Sequence, residues 1–125
     1  MSRQSFPRCL RLLNAEAYRS VFDKAVYKVH GKGLMALATP NELGHPRLGL
    51  IVSKKNVRRA VDRNRFKRLV RESVRLQQDR LPSVDIVVLA KRGVQELDND
   101  TLHRQIHGMW RRLEREARNA SSITT

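Results

Sequence analysis

Between Lys54 and Arg75 the chain sets ten lysines and arginines against two acids, Asp62 and Glu72. Such side chains do electrostatic chemistry. They donate charge-assisted hydrogen bonds to phosphate oxygens, and arginine often donates two at once. Placed at steps of about 100°, Phe66, Leu69, Val70 and Val74 share one face of a helix. Asn64, Lys67, Arg68, Arg71 and Arg75 share the opposite side, Arg63 and Arg65 flank that stripe, and Val61 misses the apolar face. Like charges four residues apart destabilise a helix by a few tenths of a kcal/mol. Asn64, Arg68 and Glu72 supply one relieving pair, whereas Lys67, Arg71 and Arg75 supply none. A phosphate backbone reverses the sign of that penalty, and counterion release adds to binding. The plain alternative is a solvated helical face, but such faces mix their signs. A membrane helix fits less well, because the apolar face is needed for the core and has no spare bulky aromatics.

Side chains able to do covalent or metal chemistry are sparse. His103 and His107 are four apart on one helix face, but no H-E-x-x-H and no third ligand accompany them. "HGKG" lacks the pattern of a phosphate-binding loop. Asp62, Glu72 and Asp85 are scattered, without the paired carboxylates of a two-metal nuclease. Cys9 stands alone, which excludes an internal disulfide or a cysteine metal cluster. The chain therefore presents no catalytic residues and no metal site of its own.

The elements that must carry these residues follow from periodicity and punctuation. Residues 1–13 read as a basic N-terminal arm, with Phe6-Pro7 extended and Leu13 a staple residue. Asn14 is a good N-cap, and Tyr18, Val21, Phe22 and Ala25 have helical spacing, which predicts a helix over about 15–25. "VYKVHGKGLMALATP" reads as two strands around a Gly-Lys-Gly turn, and "RLGLIVSK" as a third strand. The basic helix is predicted over about 57–79, with Pro82 just beyond. "VDIVVLAK" is nearly all apolar, as in a strand covered on both faces. A last helix starts near Asp98–Thr101, with Leu102, Ile106, Met109, Trp110 and Leu113 as its stripe, and 118–125 reads as a flexible tail. The order α-β-β-β-α-β-α gives one domain, 14–117, with helices packed on a small sheet.

Composition fits that reading. The chain has 125 residues, 40% of them apolar, enough for one modest core. Its net charge of +14 points to a polyanionic partner. No apolar run is long enough to span a bilayer, and arginines interrupt the N-terminus where a secretory signal needs an apolar segment. These features suit the reducing cytoplasm. Two readings remain open from the residues: an RNA-binding protein, with or without a linked activity, and a DNA-binding protein. The last lacks a helix-turn-helix pair or a dimerisation zipper.

"KKNVRRAVDRNRFKRLVRES" resembles the signature of the protein subunit of bacterial ribonuclease P. The core of that signature is Arg-Asn-Arg followed by Lys-Arg, here Arg63-Asn64-Arg65 and Lys67-Arg68. The resemblance extends through "FPRCLRLL", "GHPRLGLIVSKK" and "VDIVVLAKRGV". It implies an α/β (α+β) two-layer sandwich, with about four strands in a mixed sheet and three helices, like the second domain of ribosomal protein S5. It further implies a left-handed β-α-β crossover around the basic helix, where general chirality favours the right-handed form.

The resemblance also implies a function. The family joins a catalytic RNA and with it removes the 5′ leader of precursor tRNA. The RNA holds the Mg²⁺ ions and performs the hydrolysis, and one protein is expected per RNA, with no DNA or membrane partner. Lys54, Lys55, Arg58, Arg59, Arg63, Arg65, Lys67, Arg68 and Arg71 become the expected phosphate-contacting set, with Asn64 tying the motif to backbone or a base edge. The leader cleft of the family lies between the first helix and the sheet. Tyr18 and Phe22 match its helix side, Phe6 is a further candidate, and Lys91 and Arg92 end the fourth strand near it. Phe22 at helical spacing can equally be a core residue. Ile51 and Val52 point to opposite faces, so one of them at most lines the cleft.

Overall fold

A computed structural model of the chain describes residues 10–12 and 14–124, with the backbone alone beyond residue 119. Phe6, Cys9 and Leu13 lie outside the described residues. The elements are α1 (Ala15–Lys24), β1 (Tyr27–Gly31), β2 (Leu34–Pro40), β3 (Arg47–Ile51), α2 (Ala60–Gln77), β4 (Val84–Ala90), a 3-10 turn at Val94–Glu96 and α3 (Asn99–Thr124). The sheet order is β1-β2-β4-β3. β2 pairs antiparallel with β1 and β4, whereas β3 and β4 are parallel and joined through α2. The element order is the one the residue pattern predicts, and the mixed four-stranded sheet with three helices is the one the resemblance implies.

Side-chain alternation sorts the sheet into two faces. Leu34, Ala36 and Ala38 of β2 and Ile86, Val88 and Ala90 of β4 join Phe66, Leu69, Val70 and Val74 of α2 and the α3 stripe in the main core. Trp110 of α3 donates its indole N–H to Ser73 Oγ of α2 at 2.7 Å, a buried bond between the two helices. On the other face, Leu37 and Val87 form a smaller cluster with Val21 of α1 and Leu12. The sheet and the α2–α3 pair thus make the two principal layers, and α1 lies across part of the opposite face. That placement explains the nearly continuous apolar run of β4, which is covered on both sides.

Several boundaries differ from the periodicity. α1 begins at its predicted cap, where the Asn14 side chain accepts from Ala17 N at 2.8 Å. α2 begins at Ala60, because residues 53–57 form a turn in which Val57 N donates to Ser53 O. Part of the expected arm is built into the fold. Arg11 makes a parallel bridge to Leu48 at the open edge of β3, with Leu10 and Leu12 buried on opposite sides of the sheet. α3 runs on to Thr124, through the stretch that composition reads as a tail. Gly33, at φ 82°, makes the tight β1–β2 turn in a conformation that favours glycine.

Candidate nucleic-acid interface

Two surfaces gather the candidate residues. On α2 the inward face holds Phe66, Leu69, Val70 and Val74, all buried. The outward side exposes Asn64, Arg68 and Arg71, with Lys67 and Arg75 half-buried on its margins. The loop leading into the helix exposes Lys54, Lys55, Arg58 and Arg59. Ion pairs among the described residues occur at Arg47–Asp85 and Arg118–Glu114, and none engages α2. The Arg68–Glu72 pair allowed by spacing does not close, consistent with the weaker of the two i,i+4 orientations. Among the described residues the positive stripe therefore closes no ion pair with the acids of its own helix.

Arg63 and Arg65 stand apart from this exposed set. Arg63 Nη1 donates to the carbonyls of Val57 and Arg58, each at 2.9 Å. Arg65 donates to Asn99 Oδ1 at 2.9 Å and to the Gln95 carbonyl at 3.3 Å. Helical angle alone put both on the flanks of the stripe. Their partners lie in segments before and after α2, which periodicity does not locate.

The second surface lies on the α1 face of the sheet. Val21 anchors α1 on Leu37 and Val87, which leaves Tyr18 and Phe22 side by side one turn apart. Phe22 is 43% exposed, so it is not a core residue. Tyr18 packs its ring over Gly49, where an added Cβ would lie 2.6 Å from the ring. Its hydroxyl accepts from Leu50 N at 3.1 Å. Next to that row, Met35 pairs with Leu89 and Leu89 with Ile51, all partly buried. These three residues form an apolar floor across three strands. Ile51 belongs to this face, and Val52 packs with the main core. His30 continues the row onto β1, opposite Met35. Lys91 closes one end, its Nζ 3.4 Å from His30 Nδ1 and from the Gly31 carbonyl, and Arg92 is exposed beside it. Met35, Leu89 and His30 escaped the sequence reading as cleft residues, because only strand register brings them together.

The two surfaces are linked by one short segment. Ile51 ends on the cleft floor, the cationic loop follows directly, and α2 starts at Ala60. Further from both surfaces, Arg47 holds Asp85 through two hydrogen bonds of 2.8 and 2.7 Å, and Asn41 adds a third at 2.8 Å. Burial alone would push the Asp85 carboxyl up, but the bonds from Arg47 and Asn41 outweigh it and hold the group below the usual carboxylate range. The rings of His103 and His107 meet edge to face with centroids 6.3 Å apart. Burial and the neighbouring His103 and Arg111 push His107 down, favouring its neutral form. Among the described residues no cluster of three or more histidines, cysteines or carboxylates could hold a metal ion, and no helix is long and apolar enough to cross a membrane.

Comparison with known proteins gives a consistent result. The sequence profile of the family described as Ribonuclease P matches residues 6–114. The chain is 67% identical to the ribonuclease P protein component of Chromohalobacter salexigens, over all of this chain and 98% of that one. It is 50% identical to the component from Pseudomonas aeruginosa, over 92% of this chain and 85% of the relative. In structure it is similar to the RNase P protein of Thermotoga maritima, solved in complex with 1-(4-fluorophenyl)-2-thiourea. That likeness has a TM-score of 0.74 at 27% identity and covers 82% of this chain and 98% of the other.

Proposed function

The chain belongs to the ribonuclease P protein family, and from that membership we propose how its two surfaces divide the work of maturing the tRNA 5′ end. The α2 stripe and its loop bind the catalytic RNA subunit, one protein to one RNA, in the cytoplasm. The cleft beside α1 takes the single-stranded 5′ leader of precursor tRNA. The protein thereby holds substrate against the RNA that cleaves it.

The observation that carries this reading is the uncompensated charge on α2. A helix whose cations close no ion pair with its own acids gains most from a partner that supplies phosphates at fixed positions. Lys54, Lys55, Arg58, Arg59, Arg68 and Arg71 are the exposed cations for this contact, and Asn64 projects among them. Folded RNA is recognised mainly through shape and phosphate placement, which suits a rigid basic helix better than a base-reading surface. In the cleft, Phe22 stacks an unpaired base, with Tyr18 beside it and Met35, Leu89 and Ile51 as an apolar floor. Lys91 and Arg92 meet the leader phosphates. Stacking of this kind is indifferent to sequence, as a protein serving many precursor tRNAs requires.

Mg²⁺ in the assembled enzyme is held by the RNA. On this reading the protein's share is binding and orientation. Placing the scissile bond near the reactive centre is itself a large source of rate.

Salt titration tests the central contact. If the six exposed cations each meet a phosphate, log K for the RNA subunit falls with log[salt] at a slope between about −4.2 and −5.4. A flat dependence would contradict the electrostatic reading of α2.

A further inference from the structure

Arg63 and Arg65 are the outer residues of the Arg-Asn-Arg signature, yet both are committed to carbonyl and amide oxygens of their own chain. We infer that they are positioning residues: their hydrogen bonds hold two neighbouring segments in the shape that RNA meets, and their charge on RNA phosphate is secondary. The inference rests on the proposed RNA contact of α2 and reassigns work within it.

The loop before α2 shows what Arg63 holds. Four exposed cations, Lys54, Lys55, Arg58 and Arg59, lie on six residues of chain. Their mutual repulsion favours spreading, so something must keep the loop folded. Ser53 starts the turn, with Val57 N on its carbonyl at 2.9 Å and Asn56 N on its hydroxyl at 3.1 Å. The Asn56 amide donates to the Ala90 carbonyl at the end of β4, and Val57 is fully buried beneath. These contacts fix the first half of the loop. The second half enters α2 at Arg59, whose side chain makes no capping bond. Arg63 fixes that entry, because its Nη1 bridges the Val57 and Arg58 carbonyls. Without it those two oxygens lose their partner, and Arg58 and Arg59 lose their fixed direction.

Arg65 does the equivalent task on the other flank. One nitrogen of its fork reaches Asn99 Oδ1 on the first residue of α3, and another reaches the Gln95 carbonyl in the 3-10 turn. It ties α2 to the segment that follows Lys91 and Arg92. Asn64, between the two arginines in sequence, is exposed. Residues two apart on a helix point about 200° apart, so one arginine can hold the loop behind and the other the turn beside, while Asn64 faces outward.

Amide hydrogen exchange on the free full-length protein tests the positioning directly, and RNA affinity tests its consequence. Arg63→Ala is expected to speed exchange at Asp62, whose amide donates to the Arg59 carbonyl at the entry to α2, by tenfold or more, and Arg65→Ala to do the same at Glu96 and Leu97. The core strands should keep their protection in both. In RNA binding, Arg65→Lys keeps the charge but loses the two-pronged donor. It should therefore lose affinity nearly as fully as Arg65→Ala, by about tenfold, whereas Arg68→Lys on the exposed stripe retains most of its binding. Unchanged local exchange would overturn the inference, as would exchange that rises uniformly across the sheet or an Arg65→Lys variant that binds like wild type. A wild-type protein without salt-dependent RNA binding would instead remove the proposed function, and the exchange result would still decide the positioning roles.

Discussion

Replacing Phe22 by alanine separates substrate contact from folding. Phe22 is 43% exposed, while its neighbour Val21 makes the contacts that anchor α1. A fully buried phenylalanine costs about 3–5 kcal/mol on truncation. With nearly half of this residue already in water, the cost to folding should be no more than about half of that. A base stacked on the exposed ring contributes about 1–3 kcal/mol. At about 1.4 kcal/mol per factor of ten, Phe22→Ala should weaken binding of leader-bearing precursor tRNA by roughly 5- to 150-fold. Mature tRNA carries no leader, so its affinity for the same reconstituted enzyme should barely change. Assembly with the RNA subunit rests on α2 and should survive. The assay is the ratio of precursor to mature affinity, taken with a melting curve of the free protein. An unchanged ratio together with a large drop in melting temperature would refute the reasoning and return Phe22 to a packing role.

Two further predictions probe the packing of the cleft and the stability of the fold. Gly49→Ala places a Cβ 2.6 Å from the Tyr18 ring, so Tyr18 must move; overpacking of this kind costs about 1–3 kcal/mol, and the precursor-to-mature ratio should fall, whereas an unchanged melt and ratio would show that the ring does not rest on Gly49. Asp85 has its folded pKa below its unfolded value, so its contribution is fully present above about pH 4 and is lost as pH falls through the folded value. Asp85→Asn should thus be less stable than wild type at neutral pH, with the gap narrowing on acidification below about pH 4; parallel stability curves across that range would contradict the Arg47–Asp85 account.

The inward face of α2 was legible because a 3.6-residue period needs only local sequence, and Phe66, Leu69, Val70 and Val74 are buried where it put them. Val61 missed that face in the pattern and is 65% exposed in the fold. The Asn14 cap was legible for the same local reason. What escaped depends on distant segments meeting. Arg63 and Arg65 read as two more cations on a basic helix, since their carbonyl partners belong to the preceding loop and to the turn before α3. Gly49 read as an ordinary alternating strand position, and only the fold brings Tyr18 onto it from 31 residues earlier. The cleft floor escaped for the same reason: Met35 lies opposite Leu89 and Leu89 opposite Ile51 only through strand order and register, which alternation within one strand does not supply. Residues 10–12 read as arm because their burial depends on the open edge of β3, a property of the sheet and not of the segment.

Reconstitution of tRNA 5′ maturation tests the central claim most directly. The purified chain, the RNA subunit and precursor tRNA are combined at moderate salt and limiting Mg²⁺, with each component also omitted in turn. The account predicts that the protein alone cleaves nothing and that adding it to the RNA subunit raises the rate of leader removal. Variants of Arg68 and Arg71 should need more protein to reach the same rate. A protein that binds the RNA but leaves cleavage unchanged at every Mg²⁺ concentration, or that cleaves precursor tRNA without the RNA, would contradict it.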